Sequence, residues 1–169
     1  MDDLVIRSAT AADAAAICLV YNQGIEDRIA TLETELRTPE ERRAWLAARG
    51  PRHPVIVAES TATGGGPSVL GWGSLNAFNP RRAYDGVADL SVYVERGRRG
   101  RGVGRRLLER LIELGRGLGY HKMVLATFPF NPSGVALYER MGFQRVGVYR
   151  EQGQLDGRWV DVLVMERLL

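Results

Sequence analysis

Between Val92 and Gly104 the chain reads Val92-Tyr93-Val94-Glu95-Arg96-Gly97-Arg98-Arg99-Gly100-Arg101-Gly102-Val103-Gly104, an alternation of glycine and arginine suited to phosphate. Glycines let successive backbone N–H groups point inward with no side chain in the way. A helix starting at the end of such a turn adds about half a positive charge, and together they can hold a pyrophosphate. Arginine suits the same ligand, because its planar fork of donors matches phosphate oxygens. Six arginines (Arg96, Arg98, Arg99, Arg101, Arg105 and Arg106) fall within eleven residues, and Lys122 is the only lysine in the chain. That density leaves three uses open: a phosphorylated cofactor, nucleic acid, or a solvated tight turn. The ending Gly104-Arg105-Arg106 lacks the Lys-Ser/Thr of a nucleoside-triphosphate loop, and a dinucleotide fold wants G-x-G-x-x-G near a first βαβ unit. Neither fits well.

Other residues with chemical potential are spread along the chain. Leu90, Val92 and Val94 alternate with Asp89, Ser91 and Tyr93, which gives a strand one apolar and one polar face and puts Asp89 on the polar one. An arginine partner or a proton-transfer role would each suit it. Asn131 stands where a side-chain cap would start a short helix. Further along that helix, Tyr138 is either an aromatic core anchor or a phenolic acid of pKa about 10. Arg82 and Tyr84 precede the Asp89 strand, and arginine binds a carboxylate in bidentate form. Cys18, the only cysteine, lies in an Ala-rich apolar stretch that suits a buried small hydrophobe. His53 and His121 have no partner at metal-ligand spacing, so no metal is expected. Trp45, Trp72 and Trp159 read as core or interface.

The elements that must position these residues follow from periodicity and caps. Residues 4–7 read as a strand, and Thr10 caps an Ala-rich helix running to about Gly24. Thr38-Pro39-Glu40-Glu41 starts a second helix with a capping box and Pro at the first helical position; it should stop near Gly50-Pro51. Strands over 54–59 and 68–77 make a hairpin around Thr63-Gly64-Gly65-Gly66-Pro67. Residues 87–94 continue the sheet, and 103–118 form an amphipathic helix with Leu107, Leu108, Leu111, Ile112 and Leu114 apolar. A strand over 122–128, a helix over 131–141 ended by Gly142, and strands over 143–151 and 158–167 around Asp156-Gly157 complete the chain. The order β-α-α-β-β-β-α-β-α-β-β is a mixed α/β (α+β) domain on one sheet, with no repeat or linker dividing residues 1–169.

Arg99-Gly100-Arg101-Gly102-Val103-Gly104 fits R-x-x-G-x-G, and between a Val-Tyr-Val strand and an amphipathic helix it resembles the coenzyme-A loop of the GCN5-related N-acetyltransferases. Arg82-Ala83-Tyr84-Asp85, Ala88-Asp89-Leu90-Ser91-Val92-Tyr93-Val94, Asn131 ahead of Tyr138-Glu139-Arg140-Met141-Gly142-Phe143, and Gly157-Arg158-Trp159-Val160-Asp161-Val162 extend the likeness to the phosphinothricin acetyltransferase branch. The resemblance implies a mostly antiparallel sheet of about seven strands with splayed central strands. It also implies acetyl-CoA as cosubstrate. The amides of Gly100, Gly102, Val103 and Gly104 would then bind its pyrophosphate, with Arg99, Arg101 or Arg105 adding charge. Backbone amides around Val92, Tyr93 and Val94 would polarise the thioester carbonyl, and Asn131 would bond the pantetheine arm.

By the same resemblance Tyr138 protonates the departing thiolate, although the phosphinothricin enzymes most like it carry a histidine there. Asp89 stands where relatives have a glutamate proposed as general base; being one methylene shorter, it favours a water-mediated route or leaves the role to another group. Arg82 and Tyr84 fall at the substrate pocket. The acceptor implied is the α-amine of an amino acid analogue: phosphinothricin, methionine sulfoximine, methionine sulfone or arsinothricin. Members of the branch are homodimers with the pocket close to the subunit interface. An acetyltransferase of protein N-termini, and a non-catalytic module that binds acetyl-CoA or nucleic acid, remain the alternatives.

Composition bounds these readings. At 169 residues with 45% hydrophobic and 25% charged content, the chain can bury an ordinary globular core. No apolar run approaches the roughly 20 residues of a membrane-spanning helix. The opening Met1-Asp2-Asp3-Leu4 lacks the basic start and apolar stretch of a signal peptide, so the cytoplasm is the expected compartment. The net charge is only +3, and the phosphate reading accounts for its local concentration without DNA or RNA.

Overall fold

The computed structural model describes residues 4–61 and 68–169. In chain order the elements are β1 (Leu4–Ser8), α1 (Ala14–Glu26), α2 (Pro39–Ala47), β2 (Val55–Ser60), β3 (Ser68–Ala77), β4 (Val87–Val94), α3 (Val103–Gly117), β5 (Lys122–Thr127), α4 (Pro132–Arg140), β6 (Gln144–Leu155) and β7 (Arg158–Leu168). The seven strands form one sheet in the order β1-β2-β3-β4-β5-β7-β6. Every neighbouring pair is antiparallel except β4 and β5. A parallel pair needs a crossover, and α3 supplies it.

The element order is the one read from the sequence; the boundaries differ where local geometry overrides periodicity. A 3-10 turn at Ala11–Asp13 precedes α1, with the Thr10 N–H donating to Asp13 Oδ2 at 2.7 Å, and the helix runs on to Glu26. Strand β6 does not stop at Glu151. Its register shifts between Tyr149 and Gly153, Glu151 takes φ +50°, and the strand then continues to Leu155. The bulge breaks the two-residue alternation, which hides the second half of the strand from pattern reading. Asp156 and Gly157 both have positive φ and close the hairpin as the two-residue turn expected of Asp-Gly. Strands β2 and β3 do pair as a hairpin, and the Thr63 to Pro67 turn lies outside the described residues.

Each face of the sheet carries its own core. On one face Leu107, Leu108 and Leu111 of α3 pack on Ile56, Leu75, Leu90, Met123 and Met165, with Val135 of α4 in the same cluster. On the other, Ile17, Val20, Tyr21 and Ile25 of α1 cover Val55, Val57 and Trp72. Helix α3 lies directly on β3 because that strand is bare there: a Cβ at Gly73 would come within 2.8 Å of Leu111 Cδ1. Arg7 clasps the first elements, donating to Asp13 and Glu59 at 2.9 Å each. Cys18 is buried, its thiol 3.1 Å from the Arg37 carbonyl oxygen, in keeping with a packing role.

Candidate active site

The parallel ladder between β4 and β5 consists of Val87–Lys122, Ala88–Met123 and Asp89–Val124 and then ends, although β4 runs on to Val94 and β5 to Thr127. Beyond Asp89 the strands part. Strand β4 stays paired with β3 as far as Val94–Gly71, so only its β5-facing backbone groups lose their sheet partners. Those of Val92 to Val94 border the gap. The glycine and arginine turn leaves the end of β4 beside it, and α4 follows from the end of β5.

The turn is built to present backbone. Gly100 and Gly102 have φ of +74° and +85°, and Gly102 occupies the N-cap of α3 with no side-chain cap. The first-turn N–H groups of α3 therefore point outward without a capping acceptor. A Cβ at Gly104 would sit 3.2 Å from Leu137 and 3.5 Å from Val94, which brings α4, the turn and the end of β4 into one narrow passage. Orphan amides beside a parted pair of strands fit a pyrophosphate with an extended arm leading into the sheet.

Position along the turn sorts the arginines. Arg96 donates to Asp27 and Glu26, and its N–H to Gln23 Oε1, all at or near the end of α1. Arg99 donates to Asp27 Oδ2 at 2.6 Å and to the Val94 carbonyl oxygen. Both guanidinium groups thus fasten the turn to α1 and hold the Asp27 carboxyl below its ordinary range. Arg105 bonds Glu109 one helical turn on. Arg101 is exposed, and with Arg98 and Arg106 it lines a hollow of about 300 Å³. A second hollow, of about 350 Å³ between Thr10, Arg43 and His53, includes neither the glycine turn nor Asp89, Asn131 or Tyr138.

Asp89 sits at the last rung before the gap and is half-buried. Its one hydrogen-bond donor among the described residues is the neutral Asn76 amide, Nδ2 to Oδ2, 3.3 Å. Burial pushes the Asp89 carboxyl up to about 6, against the downward pull of that amide. The alternation reading made this whole side of β4 polar, and the structure corrects that at Tyr93. The ring stacks on Trp72 at 4.8 Å and meets Tyr21 edge-on at 5.0 Å beneath α1. Burial, more than any neighbouring charge, raises its phenol well above the ordinary value. Only the Asp89 and Ser91 end of that face is polar.

Asn131 is the N-cap of α4, accepting from the Gly134 N–H at 3.2 Å. Tyr138, packed against the α3-side core and edge-on to Phe143 at 6.1 Å, has its phenol pushed up to about 12 by desolvation. Its neighbour Leu137 is the α4 residue that meets Gly104, itself beside the end of β4. Asp89 and the turn thus border the gap, and α4, which carries Asn131 and Tyr138, approaches the turn through Leu137. Arg82 and Tyr84 lie outside it, on an exposed 3-10 turn before β4 where Tyr84 packs on Phe78 at 5.5 Å. Sequence reading passed over Asn76 and Asp27, whose parts depend on pairing across strands and across the fold. Among the described residues no three His, Cys, Asp or Glu converge as a metal site.

The sequence matches the Acetyltransferase (GNAT) family over residues 22–143, and the chain belongs to that family. It is an N-acetyltransferase that uses acetyl-CoA. Among its relatives, an L-methionine sulfoximine/L-methionine sulfone acetyltransferase of Pseudomonas paraeruginosa is 36% identical, with 95% of this chain and 92% of the relative covered. A phosphinothricin acetyltransferase of Sinorhizobium meliloti, solved in complex with acetyl-CoA, superposes with a TM-score of 0.90 at 29% identity, covering 98% of this chain and 88% of that one. A ribosomal-protein-alanine N-acetyltransferase from Brucella melitensis superposes at 0.89 with 36% identity, covering 98% and 99%.

Proposed function

We propose that this enzyme acetylates the α-amine of a small amino acid analogue of the phosphinothricin, methionine sulfoximine, methionine sulfone or arsinothricin type. The observation that carries the reading is the β4–β5 ladder ending at Asp89, with the glycine turn beside the opened gap. When bound, acetyl-CoA supplies the thioester whose acetyl carbon is attacked. The amides of Gly100 to Gly104 hold its pyrophosphate, with Arg101 as the added charge; Arg99 and Arg105 serve by bracing the turn and the helix. Of the Val92 to Val94 backbone N–H groups, those that face β5, left without a strand partner, donate to the carbonyl oxygen as negative charge develops there, while the others stay paired with β3. Asn131 orients the pantetheine arm.

Asp89 accepts the proton of the substrate ammonium, directly or through a water that makes up for its shorter reach. A carboxyl titrating near 6 is ionised at neutral pH yet closer to the working pH than an ordinary aspartate. Tyr138, kept protonated by its dry surroundings, gives its proton to the leaving sulfur. No covalent intermediate on the chain is required, and the buried Cys18 lies in α1. Arg82, with Tyr84 beside it, binds the substrate carboxylate.

The same proposal includes one domain over residues 1–169, a cytoplasmic location where acetyl-CoA is available, and a homodimer. Val146, Val148 and Tyr149 of β6 and Trp159 of β7 are each about half exposed at the end of the sheet, and this is where we place the partner. Sedimentation would read the dimer as twice 18.7 kDa. The relative that acts on a ribosomal protein keeps a second reading open, acetylation of protein N-termini with the same cofactor residues. Nucleic-acid binding is disfavoured, because Arg96, Arg99 and Arg105 already spend their charge on Asp27, Glu26 and Glu109. The test of the cofactor site is a melting scan: excess acetyl-CoA should raise the midpoint by about 5 to 10 °C, and no shift would contradict the reading.

A further inference from the structure

We propose that Asn76 is the positioning residue for Asp89, its amide holding one carboxylate oxygen against β3 so that the other is left for the acceptor amine. The inference rests on Asp89 serving as the base. Asn76 and Asp89 are directly opposite in the β3–β4 register, as are Ser74 and Ser91. Asn76 Nδ2 donates to Asp89 Oδ2 at 3.3 Å and to Ser91 Oγ at 3.4 Å, while its Oδ1 accepts from the Ser74 hydroxyl at 3.1 Å. An ionised carboxylate can only accept, so the amide nitrogen must face Asp89 and the amide oxygen must face Ser74. Ser74 is 1% exposed, too enclosed to turn to solvent, and its hydroxyl, which can donate or accept, anchors the amide oxygen in the orientation the carboxylate sets.

A neutral amide is the fitting partner for a base at this position. A guanidinium in its place would depress the carboxyl strongly, as Arg7 does for Asp13, and leave a weak base. One long, shared amide bond orients the group while giving back only part of what burial adds. The surrounding charged and titratable groups are engaged or distant. Arg49 spends its donors on the His53 and Leu75 carbonyl oxygens, and Lys122 pairs with Glu166. Arg82 and Tyr84 lie on the exposed turn before β4, and the Tyr93 phenol, two places along the same face, is kept neutral by burial.

The test is a carboxyl ¹³C NMR titration of the ligand-free enzyme, with Asp89→Asn identifying the resonance. The wild-type midpoint is expected near 6. Asn76→Ala should raise it by about one unit, Asn76→Asp should raise it further through like charge, and Ser74→Ala should move it in the same direction as Asn76→Ala. The acid limb of kcat/KM should follow each shift, which a merely structural role for Asn76 would not produce. If Asn76→Ala does not fold, Ser74→Ala carries the test alone. Unmoved midpoints in the folded variants overturn the proposal. Full activity in Asp89→Asn overturns the base reading itself, whatever the titration gives, and the proposal with it.

Discussion

Tyr138 shows how little of a side chain's chemistry is in the side chain alone. The same phenol in water would titrate near 10; enclosed between the α3-side core and Phe143, it is held protonated up to about 12. A residue in that state can donate a proton but not take one at neutral pH. Tyr138→Phe should therefore lower kcat roughly a hundredfold while leaving acetyl-CoA affinity nearly unchanged, measured by steady-state kinetics and a binding titration. Full turnover would return Tyr138 to a packing role. Its spacing from Asn131 is visible in the sequence, because both belong to one short helix. Asn76 is invisible there, since its meaning comes from lying opposite Asp89 in a register that two separate strands must first adopt.

Among the elements, the turn before α3 and the clasp on β1 answer to different physics. Gly102 has open space around its missing Cβ but a φ of +85°, so Gly102→Val fails by backbone conformation, at a cost of about 1–2 kcal/mol, and by covering the amides. The variant should lose most of the acetyl-CoA melting shift; an unchanged shift would mean that the turn does not hold the cofactor. At the clasp, Arg7 holds the Asp13 and Glu59 carboxyls below their ordinary values. That stabilisation is present above pH of about 4 and is lost as pH falls through the depressed values. Arg7→Ala, which leaves the buried Asp13 carboxylate without its cation, should cost about 2–3 kcal/mol at pH 7, and denaturant titrations of the two proteins should converge in acid. Regular helices and strands were legible from periodicity and caps. The second half of β6 was not, because a bulge at positive φ cancels the alternation by which a strand is recognised.

At the scale of the molecule, a parallel pair set into an otherwise antiparallel sheet creates the gap, and the crossover helix that makes the pair possible brings its own N-terminus to the gap's edge. The glycine turn and the topology are thus one feature, which is why the motif gained its meaning from its place between a strand and an amphipathic helix. The acceptor is a different matter. Arg82 and Tyr84 lie on an exposed turn, where sequence and fold leave the surroundings of the acceptor open. The most direct measurement is thiol release from acetyl-CoA, with the mass of the product, across phosphinothricin, methionine sulfoximine, methionine sulfone, arsinothricin, their decarboxylated amines and peptide N-termini. The account predicts that at least one of the four amino acids is acetylated far better than its decarboxylated amine, and that Arg82→Ala raises the KM for the amino acid alone. Better turnover of simple amines or peptide N-termini than of all four compounds would contradict it.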